Sequence, residues 1–150
     1  MQRFDGSALA QPGKPANQQP GNQSFTKYHG TGNDFVMIDD RAGRVHPTAE
    51  QVAHLCHRRF GVGADGLILL RMHADFDFEM VYYNADGSGA TFCGNGARCA
   101  VAFAAALGVF EGRARFLAAD GPHEALLRDG LVHLRMGDVS RVERREDYTY

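Results

Sequence analysis

Apolar residues in this chain come in short runs cut by glycine, asparagine and aspartate, and the runs switch between a period of two and a period near 3.6. FTKYHGTGNDFVMIDD predicts a strand, a Gly-rich turn at Gly30–Asn33 and a second strand over Asp34–Asp39. HPTAEQVAHLCHRRF changes period. Thr48 suits an N-cap, Glu50 and Gln51 suit a first turn, and Val52, Leu55, Cys56 and Arg59 share one helical face until Gly61 and Gly63 stop it. Leu67–Arg71 and Phe76–Asn84 read as strands, the second closed by a turn at Ala85-Asp86-Gly87-Ser88. Then FCGNGARCAVAFAAAL predicts a helix over Gly96–Leu107 that is apolar on nearly every side, about 18 Å of it, as a helix enclosed by other elements would be. The tail ARFLAADGPHEALLRDGLVHLRM alternates around Asp-Gly pairs at 120–121 and 129–130, the signature of a three-stranded meander. Strands wrapped around a central helix make the expected class α+β, with mixed and antiparallel strands, not a parallel βαβ array.

Composition sharpens this picture at one end. Residues 1–24 are rich in Gln, Pro, Asn and Gly and almost free of large aliphatics, which predicts a disordered leader before a single domain over 25–150. At 150 residues and 44% hydrophobic content the chain suffices for one core. A net charge of −2 with interspersed signs carries no footprint for nucleic acid, and no run approaches the roughly 20 apolar residues of a membrane span. Three cysteines without a Cys-x-x-Cys pair argue for a reducing, cytoplasmic setting over a disulfide framework.

Candidate chemistry narrows to a few positions. GVGADG at 61–66 matches a dinucleotide-binding pattern, but it follows a helix and precedes a strand, the reverse of what that turn requires. His54, Cys56 and His57 lack a second ligand pair at zinc spacing, so no metal is expected. Cys99 lies inside the apolar helix and reads as inert core. Cys93 precedes that helix, where amides lack intrahelical partners and the dipole favours negative charge. Gly94 and Gly96 bare those amides, so the position suits either a small buried residue or a reactive thiol beside a carboxylate cradle. Asn33 and Asn84 sit at glycine-rich strand ends, as turn residues or as ligand contacts.

HGTGNDFVMID, RRFGVGADG and YNADGSGATFCGNGARC, in this order, resemble the N-terminal half of the diaminopimelate epimerase family from about Thr26 onward. The resemblance implies two similar α+β domains, each a strand barrel around a helix, with the site between them. It implies a cofactor-free, two-base inversion at the α-carbon of LL-diaminopimelate, giving the meso form for lysine and peptidoglycan precursors. Cys93 would be one of the two bases, Gly94 and Asn95 would receive the substrate carboxylate on backbone N–H groups, and Asn33 and Asn84 would touch the substrate. Many members carry Gln where this chain has Gly66, and members are nearly twice as long, with the second cysteine in the other half. The chain is therefore expected to be a fragment, a truncated gene product or one part of a split enzyme, with a second copy (a homodimer) or a complementing C-terminal half as its expected protein partner. Related isomerases of the phenazine-biosynthesis or proline-racemase kind, or a half-domain that binds without turnover, are the competing expectations.

Overall fold

A computed structural model describes residues 23–137, and the leader expected over residues 1–24 lies outside them but for its last two residues. Strand β1 (Thr26–Gly30) pairs antiparallel with β2 (Asn33–Asp39), Gly30 standing opposite Asn33. The two residues between, Thr31 (φ 54°) and Gly32 (φ 89°), both take left-handed backbone, the type I′ geometry whose twist matches paired strands. Helix α1 (Ala49–Cys56) opens on a capping box: Gln51 N–H donates to Thr48 Oγ1 and Thr48 N–H donates to Gln51 Oε1. After it come β3 (Gly66–Arg71), β4 (Phe78–Asn84), α2 (Gly94–Ala106), β5 (Arg113–Ala118), β6 (Gly121–Arg128) and β7 (Leu131–Leu134).

The described strands form one seven-stranded sheet in sequence order. Two steps, β2–β3 and β4–β5, are parallel, and each is bridged by a helix because a hairpin cannot return the chain in the same direction. The helices lie on opposite faces. Val36, Ile38, Leu67 and Leu69 pack with Val52 and Cys56 of α1, while Phe35, Met37, Ile68 and Leu70 pack with α2. Two buried faces explain why DFVMID and LILL are near-continuous apolar runs. The sheet curls round α2, which touches β1 and β2 at one end and β6 and β7 at the other. Ala97, Cys99, Ala100, Val101, Phe103 and Ala104 are all buried, and such small side chains let the strands approach the helix from several sides. Phe78 and Phe116 stack with centroids 5.0 Å apart, and Tyr28 meets Phe103 edge-on. Each buried ring contributes about 2–3 kcal/mol. The α+β class with mixed strands around a central helix thus holds.

Several boundaries differ from expectation, each for a local reason. Helix α1 ends at Cys56, not at the glycines, and Arg59 is exposed instead of sharing the apolar face. His57 leaves the helix with ψ 120°, and its ring Nδ1 accepts from the N–H groups of Arg59 and Phe60. Gly61 then packs where a Cβ would stand 2.0 Å from the His54 carbonyl oxygen, and Gly63 and Ala64 donate to Leu55 and Cys56 carbonyls. Strand β4 begins at Phe78, because Asp77 and Arg115 exchange bonds through the Asp77 carboxylate and backbone N–H. Helix α2 begins at Gly94, two residues early, with Cys93 as its N-cap. The meander is present, but its first loop is Ala119–Asp120, with Gly121 already in β6, whereas Asp129–Gly130 forms a left-handed two-residue turn as the sequence suggests.

Candidate active site

Three strand ends and one helix start meet at one edge of the sheet. Register places Phe35, Gly66 and Asn84 in line on β2, β3 and β4, so Asn33 and Asn84 stand at the same end of the sheet. The start of α2 comes down beside the β1–β2 turn. A Cβ on Gly30 would sit 3.1 Å from the Asn95 carbonyl oxygen, so glycine lets the two backbones approach.

Cys93 is half-buried and caps α2 with its sulfur: Gly96 N–H donates to Sγ at 3.5 Å, and Ala97 N–H donates to the Cys93 carbonyl at 2.8 Å. Gly94 and Asn95 are the first helical residues, whose N–H groups the helix itself does not satisfy. A Cβ on Gly94 would meet nothing closer than Arg98 Nη1 at 3.7 Å, so the described surroundings leave room there. Cys93 Sγ donates towards Asn33 Oδ1 at 3.7 Å, and Asn95 Nδ2 donates to the same oxygen at 3.4 Å. Asn33 Nδ2 donates to Asp65 Oδ2 at 2.8 Å. On its other side Asn95 Oδ1 accepts from the Arg98 guanidinium and lies 3.3 Å from Thr31 Oγ1.

Behind Asn33 lies an ion cluster. Arg58 Nη2 is 2.7 Å from both Asp34 Oδ1 and Asp65 Oδ1, and Lys27 Nζ is 2.6 Å from Asp34 Oδ2 and also reaches the Gly63 carbonyl. The Asn33 amide, aided by the Asp34 N–H and Arg58, holds the Asp65 carboxyl below its usual range despite partial burial. Burial would raise Asp34, but the bonds and charges of Arg58 and Lys27 outweigh it and hold that carboxyl well below the carboxylate range. Both are ionised at neutral pH. Burial pushes the Cys99 thiol up to about 12 and raises that of Cys56. Burial, with the neighbouring Cys93, also raises the Tyr82 hydroxyl.

Of the positions singled out from the sequence, Cys93, Gly94, Asn95 and Asn33 converge. Asn84 is at the same sheet end, roughly 10 Å from β2 by two inter-strand spacings, and its amide donates to Ser88 Oγ at 3.0 Å within its own turn. Gly66 is a packing requirement, since a Cβ there would lie 2.6 Å from the Tyr83 carbonyl oxygen and 2.5 Å from the Tyr82 ring. Asp65, Arg58, Asp34, Lys27, Thr31 and Arg98 were not anticipated. The available signal for the two carboxylates was an aspartate at the start of one buried strand, in NDFV, and directly before another, in ADGL.

The fold is shared with solved structures of two differently named proteins. A Bacillus anthracis phenazine biosynthesis protein matches at TM-score 0.51 and 17% identity over 73% of this chain and 36% of its own. Methylitaconate-delta-isomerase matches at TM-score 0.53 and 14% identity over 72% of this chain and 35% of its own. These identities establish a common architecture and nothing finer. Sequence carries the assignment further: the diaminopimelate epimerase family model matches residues 25–142, and the chain belongs to that family. A diaminopimelate epimerase of Flavobacterium psychrophilum is 46% identical over 83% of this chain and 49% of its own length. Those of Chlorobaculum tepidum (56% identical, 53% of this chain, 31% of its own) and Nostoc punctiforme (44%, 75% and 43%) are similar. The chain thus spans about half the length, or less, of these curated relatives.

Proposed function

We propose that this chain supplies one half of the active site of a diaminopimelate epimerase. Cys93 would be one of two proton carriers in a cofactor-independent inversion at the α-carbon of LL-diaminopimelate. The observation that supports this most is the convergence on one thiol of a helix start, two bare amides and the amide oxygen of Asn33. An α-hydrogen beside an ammonium and a carboxylate is a very weak acid. Inversion therefore needs both a positioned base and stabilisation of negative charge as it develops. Gly94 and Asn95 N–H groups would receive the carboxylate, each well-placed donor contributing roughly 3–4 kcal/mol to the transition state. The Cys93 thiolate, or its thiol in the reverse direction, would contribute about 10²–10⁴-fold as general base or acid. Asn33 Oδ1 suits the substrate ammonium, and Asn84 would hold the far end of the substrate.

Cys56 and Cys99 are buried, so neither can serve the opposite face of the α-carbon. The second proton carrier would come from a complementing C-terminal half or a partner chain. The reading implies a small amino-acid substrate, lysine and peptidoglycan precursor synthesis, a cytoplasmic setting, and no nucleic-acid or membrane partner. Its test is a chimera in which residues 25–137 replace the matching half of the Flavobacterium psychrophilum relative. Deuterium uptake from D₂O at the α-carbon of LL-diaminopimelate, with inversion, is expected from the chimera and not from the 150-residue chain alone. Cys93→Ser should lower exchange by about 10³-fold or more. A folded chimera whose exchange is indifferent to Cys93→Ser would refute the assignment.

A further inference from the structure

The polar chain beside Cys93 has a direction. At one end the Asp65 carboxylate, held ionised, can only accept; at the other the Arg98 guanidinium can only donate. Between them lie two amides that could each point either way. With Asp65 accepting, Asn33 must turn its NH₂ to the carboxylate, which directs its Oδ1 at Cys93 Sγ and at Asn95 Nδ2. With Arg98 donating, Asn95 must present Oδ1 to the guanidinium and Nδ2 to Asn33. Both ends demand the same setting of both amides.

We propose that Asp65 is a positioning residue for the reaction: through the Asn33 amide it dictates that an acceptor oxygen, and not an NH₂ group, faces the Cys93 sulfur. Reversed, the amide would offer Cys93 a donor, which bonds a thiolate and has nothing to offer an S–H hydrogen. An acceptor oxygen bonds the S–H and offers a thiolate nothing. Asp65 thereby sets the polarity of the group that meets the Cys93 sulfur from the Asn33 side, while the Gly96 N–H meets it from the helix. A charge-assisted bond of this kind is among the stronger ones in a protein, and Arg58, 2.7 Å from Asp65 Oδ1, fixes the carboxylate itself. A cation in the first turns of a helix opposes the helix dipole, so Arg98 is placed against local electrostatics. Its bond to Asn95 gives that placement a reason.

The inference rests on the reading of Cys93 as a proton carrier, but its test needs no turnover. The rate of Cys93 alkylation by iodoacetamide at fixed pH is measured in the 150-residue chain, in Asp65→Asn, in Asn33→Ala and in the double variant, with melts verifying folding. Asp65→Asn replaces the acceptor-only end with an amide that can donate as well, leaving only the long 3.4 Å contact from Asn95 Nδ2 to oppose reversal of Asn33, and alkylation should quicken about three- to tenfold. In the Asn33→Ala background the same substitution should change the rate by less than about 1.5-fold, because the intermediary is gone. An equal acceleration in both backgrounds would mean that Asp65 acts by its charge alone and would overturn the proposal, as would no acceleration in either. If Asp65→Asn does not fold, the unsubstituted chain decides by NMR. Nuclear Overhauser contacts from the Asn33 side-chain NH₂ to Asp65 Hβ support the assigned setting; contacts to Cys93 Hβ overturn it. Exchange by the chimera tests the catalytic reading separately, so either can fail while the other stands.

Discussion

Iodoacetamide attacks thiolates, so its order of attack on the three cysteines reads the candidate site without substrate or partner. Cys99 is 4% exposed, and burial carries its thiol from an ordinary 9.0 to about 12. Its thiolate population below pH 9 is then about a thousandfold smaller than that of an unperturbed cysteine. Cys56 is 3% exposed beneath α1, with its thiol raised chiefly by burial. Cys93 is half-buried at a helix start and takes the Gly96 N–H on its sulfur. At pH 7.5, Cys93 should be more than half alkylated before either other cysteine exceeds about a tenth, as read by peptide mass spectrometry. In guanidinium the three rates should fall within about threefold of one another, which shows that the fold imposes the order. Equal labelling in the native chain, or Cys56 reacting first, would refute the reasoning.

Asn84→Ala should lower the melting temperature by only a few degrees, since it removes one exposed bond to Ser88 worth about 1 kcal/mol, yet raise the substrate KM of the chimera about tenfold. A core-sized drop in the melt with KM unchanged would make Asn84 a turn residue only. Acid should destabilise the chain in a defined window. The folded-state values of Asp34, Asp40 and Asp65 are depressed, so their contribution is complete above the unfolded value near pH 4 and is lost as pH falls through the folded values. Melting temperature should therefore fall steadily from pH 5 to about pH 3 and below. Asp40→Asn, already less stable at pH 7 because it breaks a buried pair with Arg71, should lose less over that interval.

What could be read along the chain was chemistry confined to a few neighbouring residues. The Thr48–Gln51 cap, the Asp129–Gly130 turn and the glycine-bared start of α2 each depend on side chains within four positions of one another. The same locality explains the errors. His57 looked like one more helical residue, because its ring's capture of the Arg59 and Phe60 amides leaves no mark in a hydrophobic period. Phe76 looked like strand because nothing near it in sequence announces that Arg115 will bond Asp77.

Asp65 shows where this limit matters for function. It reaches Asn33 across 32 residues, and Cys93 meets Asn33 across 60, so the cluster exists only once β2 and β3 are in parallel register and α2 has returned over the sheet. From the sequence each of these residues had an adequate separate explanation as a turn or loop residue. Only their meeting supplies the acceptor-only and donor-only ends that leave both amides a single setting. The thiol was legible because the glycines and the helix start that frame it are its neighbours in sequence. The group that governs which atom faces the thiol was not, because its influence passes through a partner that folding, and not spacing, brings within reach.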